Sequence, residues 1–224
     1  MLKVFIGWDS REDIAYQVAK QSILNQTKTA VDIIPVRQKD LRDAGIYLRD
    51  HDELASTEFS LTRFLVPYMC NYSGWALFVD CDILLLEDLQ QLFDLADDKY
   101  ALMCVKHNYT PKQTTKMDGK KQHLYPRKNW SSVMLFNCGH PSNKKLSSGV
   151  VNSETPQYLH RMSWLHDDEI GDLPLAWNYL VGWYNEKDDV APKLLHYTEG
   201  GPWFSEYKNC EYSEEWYDIY HSIN

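Results

Sequence analysis

Paired cysteine motifs are missing from this sequence. Its five cysteines, Cys70, Cys81, Cys104, Cys138 and Cys210, are odd in number and no two form a C-x-x-C pair, which speaks against a disulfide scaffold or a zinc site and suits a reducing compartment. No apolar run approaches the roughly 20 residues that a membrane span requires, and the chain enters directly on Leu2-Lys3-Val4-Phe5-Ile6-Gly7 with no apolar secretory segment. A cytoplasmic location is therefore expected. Basic charge is scarce: 23 Lys and Arg against 32 Asp and Glu give a net charge of −9, which argues against a nucleic-acid-binding surface. Neither G-x-G-x-x-G nor G-x-x-x-x-G-K-[ST] occurs, so the dinucleotide fingerprint and the P-loop are both absent.

What is present is enough for one domain with a real core: 224 residues at 44% hydrophobic content. Aromatic content is 13%, with 8 Trp and 15 Tyr. That exceeds what a core needs, and amphipathic rings suit the flat apolar faces of bases and sugars. The opening reads as a β-α-β unit. Leu2 to Ile6 is apolar and branched, Gly7-Trp8-Asp9-Ser10 leaves it as a turn, and Ile14, Ala15, Val18, Ala19 and Ile23 share one helical face before a second strand from Val31 to Val36. Such units favour parallel strands and right-handed crossovers, the signature of an α/β fold. Gln38 to His51 lacks periodicity and reads as a surface connection. Helices are expected over Thr57 to Met69, carrying Arg63, over Glu87 to Asp94 and around Glu154 to Trp164, with a strand from Tyr100 to Val105.

The most informative stretch is Trp75-Ala76-Leu77-Phe78-Val79-Asp80-Cys81-Asp82, an apolar run ending in two aspartates. Such a run reads as a strand buried on both faces, and the end of a strand in an open α/β sheet is where ligands bind. Residues i and i+2 of an extended chain point to one side, so Asp80 and Asp82 could present their carboxylates together. Paired carboxylates repel unless a cation lies between them or one is protonated. Mg²⁺ and Mn²⁺ are typically held by one or two carboxylates and the phosphates of a substrate. The alternative is that the pair only terminates the strand and caps the next turn.

Downstream, Lys106 to Lys128 is a locally basic segment with Pro111, Gly119 and Pro126, either a solvated loop or an acceptor-recruiting flap. Asn137 closes a strand pattern from Ser131 and could bond a substrate hydroxyl or cap the turn into Cys138-Gly139-His140. In the acidic run His166-Asp167-Asp168-Glu169-Ile170-Gly171-Asp172, one carboxylate could enter the site. His196, ahead of Gly200-Gly201, is either structural or a third metal ligand through a ring nitrogen.

Together, Val4-Phe5-Ile6-Gly7-Trp8-Asp9-Ser10-Arg11-Glu12, Arg63-Phe64-Leu65-Val66-Pro67-Tyr68, Phe78-Val79-Asp80-Cys81-Asp82, Val133-Met134-Leu135-Phe136-Asn137 and His196…Gly200-Gly201-Pro202-Trp203 resemble, in this order, the GT-A-fold nucleotide-sugar glycosyltransferases, and glycosyltransferase family 8 in particular. The resemblance implies one Rossmann-like domain over 1–224 with a central, mostly parallel twisted sheet flanked by helices. Residues 1–106 would bind the nucleotide sugar, and 107–224 would form the acceptor side and complete the metal site. It further implies that Asp80, Asp82 and His196 hold Mn²⁺ or Mg²⁺ on the donor diphosphate. Trp8 and Asp9 would lie by base and ribose, Arg63 by the phosphates or sugar, and Asn137 by the donor sugar. Gly200, Gly201 and Trp203 would close the nucleotide site. The implied activity is hexosyl transfer with retention from a nucleoside-diphosphate sugar, a UDP-sugar first among them, to the hydroxyl of a glycan or other acceptor, as in surface glycan synthesis.

Two features depart from family 8. Its closing H-x-x-G-x-x-K-P-W is shortened here, with Gly201 where the lysine would precede Pro-Trp. Arg63 or a lysine of the basic segment would have to replace that charge. The family's D-Q-D is not visible as such, and the segment around Asp172 takes its region, leaving Asp172 and Asp168 as candidates to face the sugar's reacting carbon. Two other classes compete: a Mg²⁺-dependent phosphohydrolase of the haloacid dehalogenase type, which also carries D-x-D after a strand, and a non-catalytic carbohydrate-binding module.

Overall fold

The computed structural model of the protein describes residues 1–50, 55–107, 127, 129–184 and 190–223. β1 (Leu2–Trp8) carries a core segment, Val4 to Ile6, that is buried completely. α1 (Asp13–Gln26) packs Ala15, Val18, Ala19 and Ile23 inward and returns the chain to β2 (Val31–Arg37), which pairs in parallel with β1 from Leu2↔Val31 to Trp8↔Arg37. The expected β-α-β opening is present.

The next segments depart from expectation. Part of the aperiodic stretch after β2 forms α2 (Gln38–Asp43), a short helix anchored by buried Leu41 and ended by Gly45 at φ 68. The single helix expected over Thr57 to Met69 is divided into a 3₁₀ turn, Thr62–Leu65, and one α-turn, α3 (Val66–Met69). Pro67 is the reason. It has no N–H for an upstream carbonyl, and it is tolerated only in a first turn.

β3 (Trp75–Val79) lies beside β1 in parallel, Ile6↔Val79, with Ala76 to Val79 completely buried. The chain then passes through Asp80-Cys81-Asp82 into β4 (Ile83–Leu85), α4 (Gln90–Phe93) and β5 (Leu102–Cys104). β6 (Val133–Asn137) runs antiparallel to both β3 and β5. α5 (Ser148–Ser153) and α6 (Pro156–His160) are capped by the hydroxyls of Ser147 and Thr155. The helix expected to reach Trp164 stops at His160, and Met162 beyond it has φ 55. β7 (Ile170–Asp172) pairs with β5 in parallel, and β8 (Tyr179–Leu180), β9 (Leu194–His196) and α7 (Ser213–Ser222) complete the chain.

The strands form a six-stranded sheet in the order β2-β1-β3-β6-β5-β7 and a three-stranded sheet in the order β4-β9-β8. In the large sheet only β6 opposes the others, so β1, β2, β3, β5 and β7 present their carboxyl ends at one edge. β9 is antiparallel to β4 with Ile83↔His196 in register. That pairing carries a residue 114 positions away in sequence to the side of Asp82. No helix among the described residues is long and apolar enough to cross a membrane.

Candidate functional site

Asp80, Asp82 and His196 each offer one ligand atom, and the three atoms lie within 4.8 Å of one another. The backbone fixes both aspartates. The Asp80 amide donates to the Ser132 carbonyl at 2.9 Å, and the Asp82 carbonyl accepts from the Tyr197 amide at 2.9 Å. Cys81 between them is buried, so it anchors the turn while its neighbours face the site.

His196 is oriented from behind. The Asn178 amide nitrogen donates to Ser132 Oγ at 3.0 Å and to the Asn129 carbonyl at 3.2 Å, which leaves Asn178 Oδ1 to accept from His196 Nδ1 at 3.0 Å. His196 Nε2 then faces Asp82 Oδ2 at 3.4 Å. Holding the proton on Nδ1 keeps a lone pair on Nε2 for a metal ion. Burial alone would push Asp82 up and His196 down, but their attraction outweighs it: the Asp82 carboxyl lies below, and the His196 imidazole above, its ordinary value. Asp80 behaves oppositely. Burial, with Asp82 adding its repulsion, pushes it up to about 7 against the pull of Arg63.

The residues fit a hard divalent cation. Asp82 Oδ1 is buried and has no hydrogen-bond partner among the described residues, a costly state for a carboxylate oxygen that a cation would relieve. Two carboxylates and one imidazole are a donor set for Mn²⁺ or Mg²⁺.

Arg63 is at this site in a supporting position. Its Nη1 lies 2.7 Å from Asp80 Oδ1 and donates to the Ser131 carbonyl at 2.8 Å, while the guanidinium packs 5.1 Å from the rings of both Phe59 and Phe78. The side chain is 6% exposed, so it secures Asp80 from beneath.

Trp8 and Asp9 leave β1 at the same edge. Trp8 Nε1 donates to Asp13 Oδ1 at 2.6 Å and Arg37 covers its ring at 5.0 Å. Asp9 is fully buried and occupied by its own loop: it accepts from Arg11 N and Nε at 2.9 Å, Arg11 Nη2 at 2.7 Å and the Glu58 amide at 3.1 Å. Although burial raises its pKa, these bonds bring it below the usual value. Asp9 therefore shapes the loop that presents Trp8. The same loop carries Glu12, whose carboxyl is pushed up to about 7 by burial and then by Asp82 and Asp9. Sequence reasoning singled out neither Glu12 nor Asn178. The only signal for Asn178 was its place beside Trp177 in the region matched to D-Q-D.

The two candidate carboxylates separate. Asp172 ends β7 at the carboxyl edge and accepts from Lys106 Nζ at 3.1 Å. Asp168 lies in the 3₁₀ turn Asp167–Glu169, before the amino end of β7, and so on the opposite side of the sheet. Asn137 is likewise not brought to the site. Because β6 is antiparallel, its last residue pairs with Trp75 at the start of β3, and the Asn137 side-chain Nδ2 donates to the Asp98 carbonyl at 3.5 Å. Gly201 serves packing. A Cβ there would lie 1.9 Å from the Trp203 ring, which meets Tyr197 edge-on at 6.0 Å and Trp216 at a tilt at 5.7 Å. Gly200 bonds back to the Tyr197 carbonyl at 2.8 Å with φ 129. Of the basic segment, most of 106–128 lies outside the described residues, while Lys106 and Arg127 lie within them.

No protein-family model matches the chain. Protein CDI of Arabidopsis thaliana is 55% identical over 217 residues, which cover 96% of this chain and 84% of that protein. Among solved structures, the apo WbbM bifunctional glycosyltransferase superposes with a TM-score of 0.69 at 16% identity over 98% of this chain and 49% of its own. The galactosyltransferase LgtC, solved with donor and acceptor sugar analogs, gives 0.66 at 15% identity over 99% and 96%. The chain thus spans about half the length of WbbM. At such identities the likeness is one of fold, and the fold is that of the GT-A-like glycosyltransferases.

Proposed function

The chain belongs to the family of the Arabidopsis thaliana Protein CDI, and we propose that it is a metal-dependent glycosyltransferase that moves a sugar from a UDP-sugar to the hydroxyl of a glycan or other acceptor. The convergence of Asp80, Asp82 and His196 at the carboxyl edge of a glycosyltransferase-type sheet carries this reading. The fold leaves the phosphohydrolase alternative without support.

Asp80, Asp82 and His196 would hold Mn²⁺ or Mg²⁺, which supplies charge stabilisation to the departing diphosphate. The chain's own residues prepare the rest. Arg63 fixes Asp80, and Asn178 keeps the proton of His196 on Nδ1, so the ligand atoms are aligned before a donor arrives. Trp8, clamped by Asp13 and Arg37, offers a ring edge for the base side. We assign the sugar side to Asp172 in preference to Asp168, with Lys106 held beside it. For the positive charge near the phosphates we favour Lys106, whose ion pair with Asp172 is open to solvent, over Arg63, which is buried against Asp80. A carboxylate beside the reacting carbon steadies an oxocarbenium-like transition state. We extend the family 8 resemblance to hexosyl transfer with retention, to a donor half of 1–106, to a cytoplasmic location and to surface glycan synthesis.

The test is calorimetric titration of UDP and GDP, with and without Mn²⁺, into the wild type and Asp82→Ala. Binding of UDP that requires both the metal and Asp82 is expected. Absence of any metal-dependent nucleotide binding would overturn the reading and favour the carbohydrate-binding module.

A further inference from the structure

His107 stands three residues beyond β5, at the same edge of the sheet as Asp172 and the aspartate pair. It is 8% exposed. Its Nδ1 lies 2.8 Å from the Tyr184 hydroxyl, the two rings stack at 6.4 Å, and its carbonyl accepts from Trp130 Nε1 at 3.2 Å. Yet Nε2 is buried and has no hydrogen-bond partner among the described residues. A buried polar nitrogen left unsatisfied costs on the order of 1–3 kcal/mol, and native structures keep such atoms where something else completes them.

The surroundings define what that is. Burial disfavours the charged form of the His107 imidazole, so Nε2 is suited to a hydrogen bond with a neutral group more than to an ion pair with a phosphate. A neutral imidazole has one donor and one acceptor nitrogen, and Tyr184 engages one of them. The other matches a hydroxyl, which can donate or accept. Aromatic side chains stand close by: Trp130 donates to the His107 carbonyl, and Tyr179 lies 5.0 Å from Tyr184. Apolar ring faces around a few aimed polar atoms are the chemistry of a neutral, polyhydroxylated ring.

We propose that His107, oriented by Tyr184, recognises a hydroxyl of a sugar ring through Nε2 and is a specificity-determining residue of this protein. The proposal rests on the glycosyltransferase reading and deepens it. The hydroxyl belongs either to the donor sugar or to the acceptor.

His107→Phe keeps the ring and removes both nitrogens, while His107→Gln retains a hydrogen-bonding group. With Mn²⁺ present, UDP, UDP-glucose and UDP-galactose are titrated calorimetrically into each protein. Saturation-transfer NMR with the methyl glycosides of glucose and galactose, on the UDP-Mn²⁺ complex, reports the acceptor side. UDP affinity is expected to be the same in all three proteins. If the hydroxyl is the donor's, His107→Phe weakens one nucleotide sugar by at least about tenfold and His107→Gln recovers part of it. If it is the acceptor's, the nucleotide sugars are unaffected and saturation transfer to one glycoside is lost. A His107→Phe protein that binds every probe as the wild type does overturns the inference while leaving the function intact. A wild type that binds no nucleotide with Mn²⁺ overturns the function and this inference with it.

Discussion

Arg63 touches the Asp80 carboxylate, the Ser131 carbonyl and the rings of Phe59 and Phe78 at once. Removing it strands a buried carboxylate, the situation in which a broken ion pair costs most. Arg63→Met is therefore expected to lower unfolding stability by about 3–5 kcal/mol in urea titrations, and a loss under about 1 kcal/mol would show that Asp80 does not depend on it. Asn178 supports His196 by a different means, through the tautomer. Asn178→Leu should leave the fold in place and weaken Mn²⁺ binding by roughly 10–100-fold, as read by calorimetry. The amide of Asn178 is oriented by Ser132 and Asn129, the latter in a left-handed turn at φ 63 that Asn tolerates better than most residues.

At the scale of elements, the site depends on two strand ends and on what packs behind them. The turn from β9 toward α7 relies on Gly201, because the Trp203 indole occupies the space of a Cβ. Gly201→Ala must displace that ring from Tyr197 and Trp216. A cost of about 1–3 kcal/mol and an altered near-UV circular dichroism spectrum are expected. Unchanged aromatic signals would show that the ring moves away freely. α3 illustrates a local rule overriding a pattern: Leu61, Phe64 and Leu65 keep helical spacing and are buried, but Pro67 divides the segment.

For the whole molecule, the acidic site sets a dependence on pH. The carboxyls of Asp80 and Glu12 bind protons more tightly in the folded chain, with values near 7, than in the unfolded chain, where carboxyls titrate near about 4. Together these two carboxyls draw folding stability without metal down as pH rises from about 4 to about 7, against the smaller opposing share of His107, whose lowered value makes its own contribution rise over that range. His196, raised above its ordinary value, adds in the same sense as the carboxyls, since its contribution is complete below about 6.5 and is lost as pH rises through its folded value. Asp82, lowered, contributes above about 4 and loses its contribution on further acidification. The metal-free protein is expected to melt higher near pH 5.5 than near pH 8, and Mn²⁺, which needs these groups deprotonated, to raise the melting temperature more at pH 8. Thermal scans at both pH values, with Mn²⁺ and with a chelator, check both trends, and equal Mn²⁺ shifts would contradict the site.

The sequence by itself determined the α/β class, the β-α-β opening and the aspartate pair, because strand burial and side-chain alternation are local properties that a run such as Trp75 to Asp82 expresses directly. It could also nominate His196. Only the tertiary structure decided which nominees meet. The antiparallel course of β6 carries Asn137 to the far edge, and the direction of β7 separates Asp172 from Asp168. The register Ile83↔His196 places an imidazole beside Asp82, and Asn178 and Arg63 become supports only when β6, β8 and β9 assemble. Strand direction and register are long-range pairings with no local signature in the chain, so the members of the site were legible one by one while their assembly was not.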